Sequence, residues 1–262
     1  MRVTVVRMYA MVLWGYLCRE GMGFGTGWCG NNSRVNYGTS FLASKKLWEP
    51  FDTGEDQGQW DTEYWNHPHI HGFGNTGWGG SIHARVAPLV TRLIDRMAYD
   101  GMDVRGIIHR KLKAEMNWTS AADLCCGAGV STPLYGIGVD TSEEMIDVAS
   151  GRTWFGAAEK KRFRVGNAES WGEDDQFELV TCMFGFHEMP AAGRETVIRN
   201  MMRIASRKAV IVDIDPSYVP GKEMMSGEPY VLDYLAHIDD ELVDWAGMSF
   251  IAGHIRLWEI NL

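Results

Sequence analysis

The sequence predicts an α/β fold, a doubly wound and mostly parallel sheet with helices on both faces. Three observations lead to that reading. The run Ala121–Cys126 meets Gly127-Ala128-Gly129, and a second run, Ile137-Gly138-Val139, ends in Asp140. Further on, Phe177–Phe184 and Lys208–Asp213 are apolar and β-favouring at their centres. Between them, Val197, Ile198, Met201, Met202 and Ile204 recur at helix-like spacing within residues 191–206. Short apolar runs without polar alternation suit strands buried on both faces, and strands alternating with helices give a parallel sheet.

The glycine segment carries the chemistry. Gly127 and Gly129 let the chain turn sharply and leave room for a ligand against bare main chain. Ser131 and Thr132 are expected to cap a following helix whose N–H groups face an anionic group. An acid at the tip of the second strand, Asp140, is placed to accept hydrogen bonds from ribose hydroxyls. The third glycine of the dinucleotide fingerprint is missing, since Gly129 runs into Val130-Ser131-Thr132, which disfavours NAD. Only ten residues separate Cys126 from Ile137, where a parallel crossover normally takes a dozen or more. Either an abbreviated loop makes this crossover, or the donor site is reduced.

These residues resemble the class I S-adenosylmethionine-dependent methyltransferases of small-molecule type, whose first strand reads DLCCGxGxST and whose second reads GVDxSxxM. Asp123 to Thr132 and Gly138 to Met145 match those patterns. The likeness runs on through Phe163–Glu169 as third strand and adenine loop, Phe177–Phe184 as fourth strand and His187-Glu188-Met189-Pro190 after it. Ser249–Ile260 resembles the closing antiparallel pair, with Gly253 near its turn. The resemblance implies a seven-stranded sheet with a C-terminal antiparallel hairpin and an N-terminal lid extension. It implies S-adenosyl-L-methionine as cofactor, contacted by Asp123, Cys125, Gly127, Ala128, Gly129, Asp140, Thr141, Met145, Asn167, Ala168, Met183 and Phe184. Asn167 stands where relatives usually carry an aspartate toward the adenine amino group, so an amide oxygen has to accept that bond.

Methyl transfer needs in-line alignment and exclusion of water, with a base where the acceptor must lose a proton. His187, at the mouth of the site, is the candidate base, and Glu188 orients it or binds a cationic acceptor. Trp60, Tyr64, Trp65, Phe73, Trp78 and Tyr230 are candidates for the acceptor pocket or for packing a lid onto the sheet. Alternatives at this point are a non-catalytic binding protein that kept the fold, and a nucleotide-dependent oxidoreductase.

Composition sets the limits. The chain has 262 residues, of which 45% are hydrophobic, enough for one ample core. A net charge of −9 without a basic tract argues against nucleic acid and for a small-molecule acceptor. Five cysteines, two adjacent at Cys125 and Cys126, form no disulfide framework and suit a reducing, intracellular compartment. Residues 1–47 read as a leader or loosely packed segment, with Arg2, Arg7, Arg19, Arg34, Lys45 and Lys46 against Glu20. Location is therefore cytoplasmic, or organellar if this segment is a targeting signal. The stretch Val3–Leu17, interrupted by Arg7, is too short to span a bilayer. Residues 48–117 read as a lid and helical extension, and 118–262 as the cofactor domain. Glycines are expected to prevent a regular element through 72–80, with a helix over 82–98. His67, His69 and His71 alternate, but Pro68, Gly72 and the absence of a fourth ligand at fixed spacing disfavour a metal.

Overall fold

A computed structural model describes residues 63–66, 70, 77–151 and 162–262, all within the compact unit Asp61–Leu262. The leader, Trp60, the three alternating histidines and Phe73 lie outside the described residues. After a short 3-10 turn at Tyr64–Asn66, the elements run α1 (Gly77–Ala98), α2 (Val104–Met116), β1 (Ala121–Leu124), β2 (Ile137–Asp140), α3 (Glu143–Gly151) and β3 (Phe163–Val165). Then follow β4 (Phe177–Met183), a 3-10 turn (Phe186–Glu188), α4 (Ala191–Ile204), β5 (Ala205–Ile214), α5 (Lys222–Gly227), α6 (Val231–Glu241), β6 (Ala246–Ile251) and β7 (Ile255–Asn261).

The seven strands form one sheet in the order β3-β2-β1-β4-β5-β7-β6. β1 pairs in parallel with β2 and β4, β2 with β3, and β4 with β5. β7 enters antiparallel between β5 and β6. The strand order grows outward one way from β1 to β3 and the other way from β4 to β5, and this switch point between parallel strands puts the ligand crevice at the C-terminal ends of β1, β2 and β4.

Strand alternation divides the core in two. Ala122 and Leu124 of β1, with Val180 and Cys182 of β4, pack under α4 and α6 through Val197, Met201, Tyr234 and Ile238. Ala121, Leu179 and Met183 face the other way, onto Val104, Ile108 and Leu112 of α2. The hairpin matches the expected one, with Gly253 at φ +72° in the turn between β6 and β7.

Two expectations fail, and the failures are connected. No helix follows the glycine turn: residues 125–136 are turns and bends that carry the chain from β1 to β2. Ser131 and Thr132 therefore cap nothing; both hydroxyls donate to Asp123 Oδ2, at 2.8 and 2.9 Å. Meanwhile α1 begins at Gly77, five residues before the expected start, despite its glycines. Gly80, Ala84 and Pro88, four residues apart, form a buried stripe of small side chains along it. Ala84 meets Ala128 of the glycine turn and Met145 of α3, and Gly77 N–H donates to Glu144 Oε1 at 2.6 Å. Packing outweighs the roughly 1 kcal/mol per glycine that propensity alone costs. The helix before the sheet thus covers ground beside the abbreviated crossover.

Candidate active site

The site is assembled from strand ends. β1 stops at Leu124, and Cys125 (φ +55°) and Gly127 (φ +49°) turn the chain through left-handed backbone. The two glycines differ in what they require. A Cβ on Gly127 would meet only Met145 Sδ, at 4.0 Å, whereas one on Gly129 (φ +74°) would lie 2.8 Å from the Phe163 ring and 3.1 Å from Ala149. Gly129 therefore serves close packing, and Gly127 leaves open space against main chain.

Asp140 closes the turn from the neighbouring strand. Its Oδ2 accepts from Gly127 N–H at 2.8 Å and its Oδ1 from Ser142 N–H at 2.9 Å. Burial pushes its carboxyl up, the two N–H groups hold it down and the negative Glu188 and Asp123 push it up again, to about 6. Each carboxylate oxygen keeps a lone pair for a further donor. Thr141 follows, half-buried, and Met145 is buried one turn into α3.

Asp123 lies beneath rather than in the crevice. It is 0% exposed and accepts from Ser131, Thr132 and Thr181 hydroxyls, the last at 2.8 Å. Burial raises its pKa, with His109 and the three hydroxyls opposing. His109 Nε2 reaches Ser131 O at 2.6 Å, and because a carbonyl only accepts, Nε2 carries the proton. The expected donor contact from Asp123 becomes a tether: its side chain has no open face, and it holds the loop to the sheet.

Further along the rim, Asn167 is half-buried and its Oδ1 already accepts from Glu169 N–H at 2.9 Å, while Ala168 is buried. The amide oxygen assigned to adenine thus also braces its own loop. Met183 differs from expectation: its side chain is 4% exposed and packs with Val104 and Ile108 in the α2 core, so it is spent on packing. Phe184 (φ +62°) turns the chain out of β4, and the Arg105 guanidinium lies 4.2 Å from its ring centre.

That turn aims Phe186–Glu188 at the end of β5. Asp213, 0% exposed, accepts from Phe186 N–H at 2.8 Å and His187 N–H at 3.3 Å through Oδ2, and from Ile214 N–H at 2.7 Å through Oδ1. The same Oδ1 holds His187 Nδ1 at 2.7 Å. His187 is 9% exposed, and its Nε2 faces Glu188 Oε1 at 4.0 Å. Glu228, buried just past α5, brings a carboxylate oxygen into the same group, all three ligand-type atoms lying within 4.8 Å of one another. Burial opposes a charge on His187, but Asp213, Glu188 and Glu228 outweigh it and raise its pKa to about 9. Arg194 stabilises this corner from below, donating to Met189 O at 2.7 Å, to Asp233 at 2.7 Å and to Glu241 at 2.8 Å. Asp213 and Glu228 were not singled out from sequence. An acid inside the apolar run Val210–Ile214 is a signal for the first, and nothing local marks the second.

Residues 121–208 match a family model described as a methyltransferase domain. YcgJ from Bacillus subtilis strain 168, named an uncharacterized methyltransferase, is 28% identical over 130 residues, 48% of this chain and 50% of its own length. Over residues 121–208 the chain is therefore similar to methyltransferase domains. It spans about half the length of the curated relative it matches. Among solved structures, that of YcgJ overlays 56% of this chain and 70% of its own, at 24% identity and a TM-score of 0.40. Magnesium protoporphyrin IX methyltransferase from Synechocystis, solved with bound SAH, overlays 78% of this chain and 96% of its own, at 16% identity and a TM-score of 0.44.

Around the turn after β1, the aromatic residues expected at an acceptor pocket divide. Tyr64 is 6% exposed and stands edge-on to Trp65 and Tyr230, with ring centres 5.1 and 6.4 Å away. Burial, with Cys125 and Glu169 nearby, pushes its phenol well above the ordinary range, which places it beside the turn after β1. Trp65 and Tyr230 are half-buried against the same core. Trp78 does not join them: at the start of α1 it is 68% exposed. No helix among the described residues is long and apolar enough to cross a membrane.

Proposed function

We propose that this chain transfers a methyl group from S-adenosyl-L-methionine to a small-molecule acceptor. The observation that carries the reading is the Asp140 carboxylate at the C-terminal end of β2. It is fixed by Gly127 and Ser142 N–H groups and has lone pairs to spare beside the open space over Gly127. Those residues fit a nucleoside: the carboxylate takes ribose hydroxyls, and bare main chain at Gly127 admits the methionine portion. Cys125, Ala128, Thr141 and Met145 border this turn, with Asn167 and Ala168 on the adenine side. Asp123, Gly129 and Met183 support it from behind.

When bound, S-adenosylmethionine supplies the methyl group on a sulfonium, and a neutral thioether departs. The chain has to align the acceptor and keep water out. Tyr64, Trp65 and Tyr230 are the proposed apolar wall on that side, and Trp60 is proposed with them from outside the described residues. Where the acceptor is a hydroxyl, a thiol or an ammonium, its proton has to leave. His187, steered by Asp213, and Glu188 are the groups at the corner where that happens. The net charge of −9 supports a small acceptor over a polyanion.

The test is calorimetry with S-adenosylmethionine, S-adenosylhomocysteine and NAD, followed by an acceptor screen read by a methyl mass shift. Binding of the sulfur nucleosides and not NAD is expected. No binding of either at about millimolar concentration would refute the proposal, because even a Kd of about 1 mM corresponds to only about 4 kcal/mol.

A further inference from the structure

We propose that His187 Nε2, Glu188 and Glu228 form a binding site for a divalent transition-metal ion of the Mn2+ or Zn2+ class. The proposal gives the acceptor corner its chemistry and rests on the methyltransferase reading only for that use.

Three observations support it. One imidazole nitrogen and two carboxylate oxygens lie within 4.8 Å of one another, and His187 Nε2 is 4.0 Å from Glu188 Oε1. Ligand atoms about 2 Å from a shared ion sit about 3–4 Å apart, so closing on a metal needs side-chain movements of under an ångström or so. Second, Nδ1 of His187 is engaged by Asp213 at 2.7 Å, so that Nε2, in a ring nine-tenths buried, is the nitrogen turned toward Glu188. A carboxylate on the far nitrogen of a ligating histidine fixes the ring and makes its open nitrogen more basic toward a metal. Third, Asp213, Glu188 and Glu228 set three carboxylates around one imidazole, an excess of negative charge that a dication offsets.

The three residues come from two loops, one after β4 and one after α5, and both lie at the end of the sheet where the crevice opens. One nitrogen and two oxygens match manganese, iron or zinc better than the all-oxygen sites of calcium or magnesium. With only three protein ligands, positions remain for water and an oxygen-bearing acceptor. Such an ion would lower the pKa of that oxygen and hold it for attack.

The experiment titrates Mn2+ into the full chain, following loss of the free-ion electron paramagnetic resonance signal, with Zn2+ calorimetry in parallel. About one ion per chain is expected, bound at least tenfold more weakly by Glu228→Gln and by the more exposed Glu188→Gln, the usual scale for a lost ligand or its support. Circular dichroism checks that both variants keep the wild-type fold, and Asp239→Asn, outside the group, should bind as wild type. No Mn2+ or Zn2+ binding at about 1 mM, or equal binding by wild type and both Gln variants, would overturn the site. S-adenosylhomocysteine calorimetry with and without EDTA separates the two readings. If the nucleoside binds and the ions do not, the metal site alone is wrong.

Discussion

Asp140→Ala separates donor binding from loop stability within one residue. The substitution removes the acceptor of Gly127 and Ser142 N–H, which sit at 2.8 and 2.9 Å in a half-buried corner. Water reaches that corner in part, so each stranded N–H costs toward the low end of the range, about 1 kcal/mol, or about 2 kcal/mol together. In a domain of this size that lowers Tm by about 4–8 °C. Donor binding falls further, because a charged acceptor for ribose is worth about 1.5–3 kcal/mol, roughly 10- to 150-fold in Kd. Asp140→Asn retains one amide oxygen and should recover part of the stability but little of the affinity. The pH dependence gives an independent check. With its carboxyl at about 6 against an ordinary value near 3.8, Asp140 holds its proton more tightly folded than unfolded. Its contribution to stability is therefore full below the unfolded value and lost as pH rises through about 6. Donor affinity runs the other way, since ribose hydroxyls need the ionised form, and should drop about tenfold from pH 8 to pH 5. Calorimetry with S-adenosylhomocysteine across that range, beside thermal melts, measures both. Equal affinity of Asp140→Ala and wild type at pH 8 would refute the assignment.

Gly129→Ala places a methyl 2.8 Å from Phe163 on left-handed backbone and should destabilise the fold by about 2–4 kcal/mol in urea unfolding. Gly127→Ala meets open space at the same kind of backbone angle, so stability should fall by only about 1 kcal/mol while donor affinity falls more. Thr132→Val takes one of three hydroxyl donors from a fully buried carboxylate and should cost about 1–3 kcal/mol, with no change in the chemistry of the donor. Asp213→Ala strips the acceptor from His187 Nδ1 and from three backbone N–H groups at once. A loss of about 3–5 kcal/mol is expected by denaturant titration, and a loss under about 1 kcal/mol would contradict its buried role.

The legible part of the site is the part encoded by neighbours in sequence. Gly127, Asp140 and His187 stand where the strand pattern placed them, because each follows the end of a short apolar run and a parallel sheet brings such ends together. The helix over 191–206 and the closing hairpin were readable for the same reason: a periodic stripe in one case, a turn glycine in the other. Asp213 and Glu228 were not readable as partners of His187. They lie 26 and 41 positions downstream, and only the pairing of β4 with β5 and the return of the chain after α5 bring them near.

The sequence alone therefore determines the parallel sheet, the glycine turn and the acid facing it, since local propensity and hydrophobic run length decide those elements. Tertiary structure decides what packs beside the abbreviated crossover, because α1 is held by Ala84 against Ala128 and Met145 despite its own glycine content. It also turns Asp123 from an expected ligand contact into a buried tether, since three hydroxyls from two other segments reach it only in the folded chain. The grouping of His187, Glu188 and Glu228 has the same origin: charge is brought together across the chain by burial, and no local pattern records it.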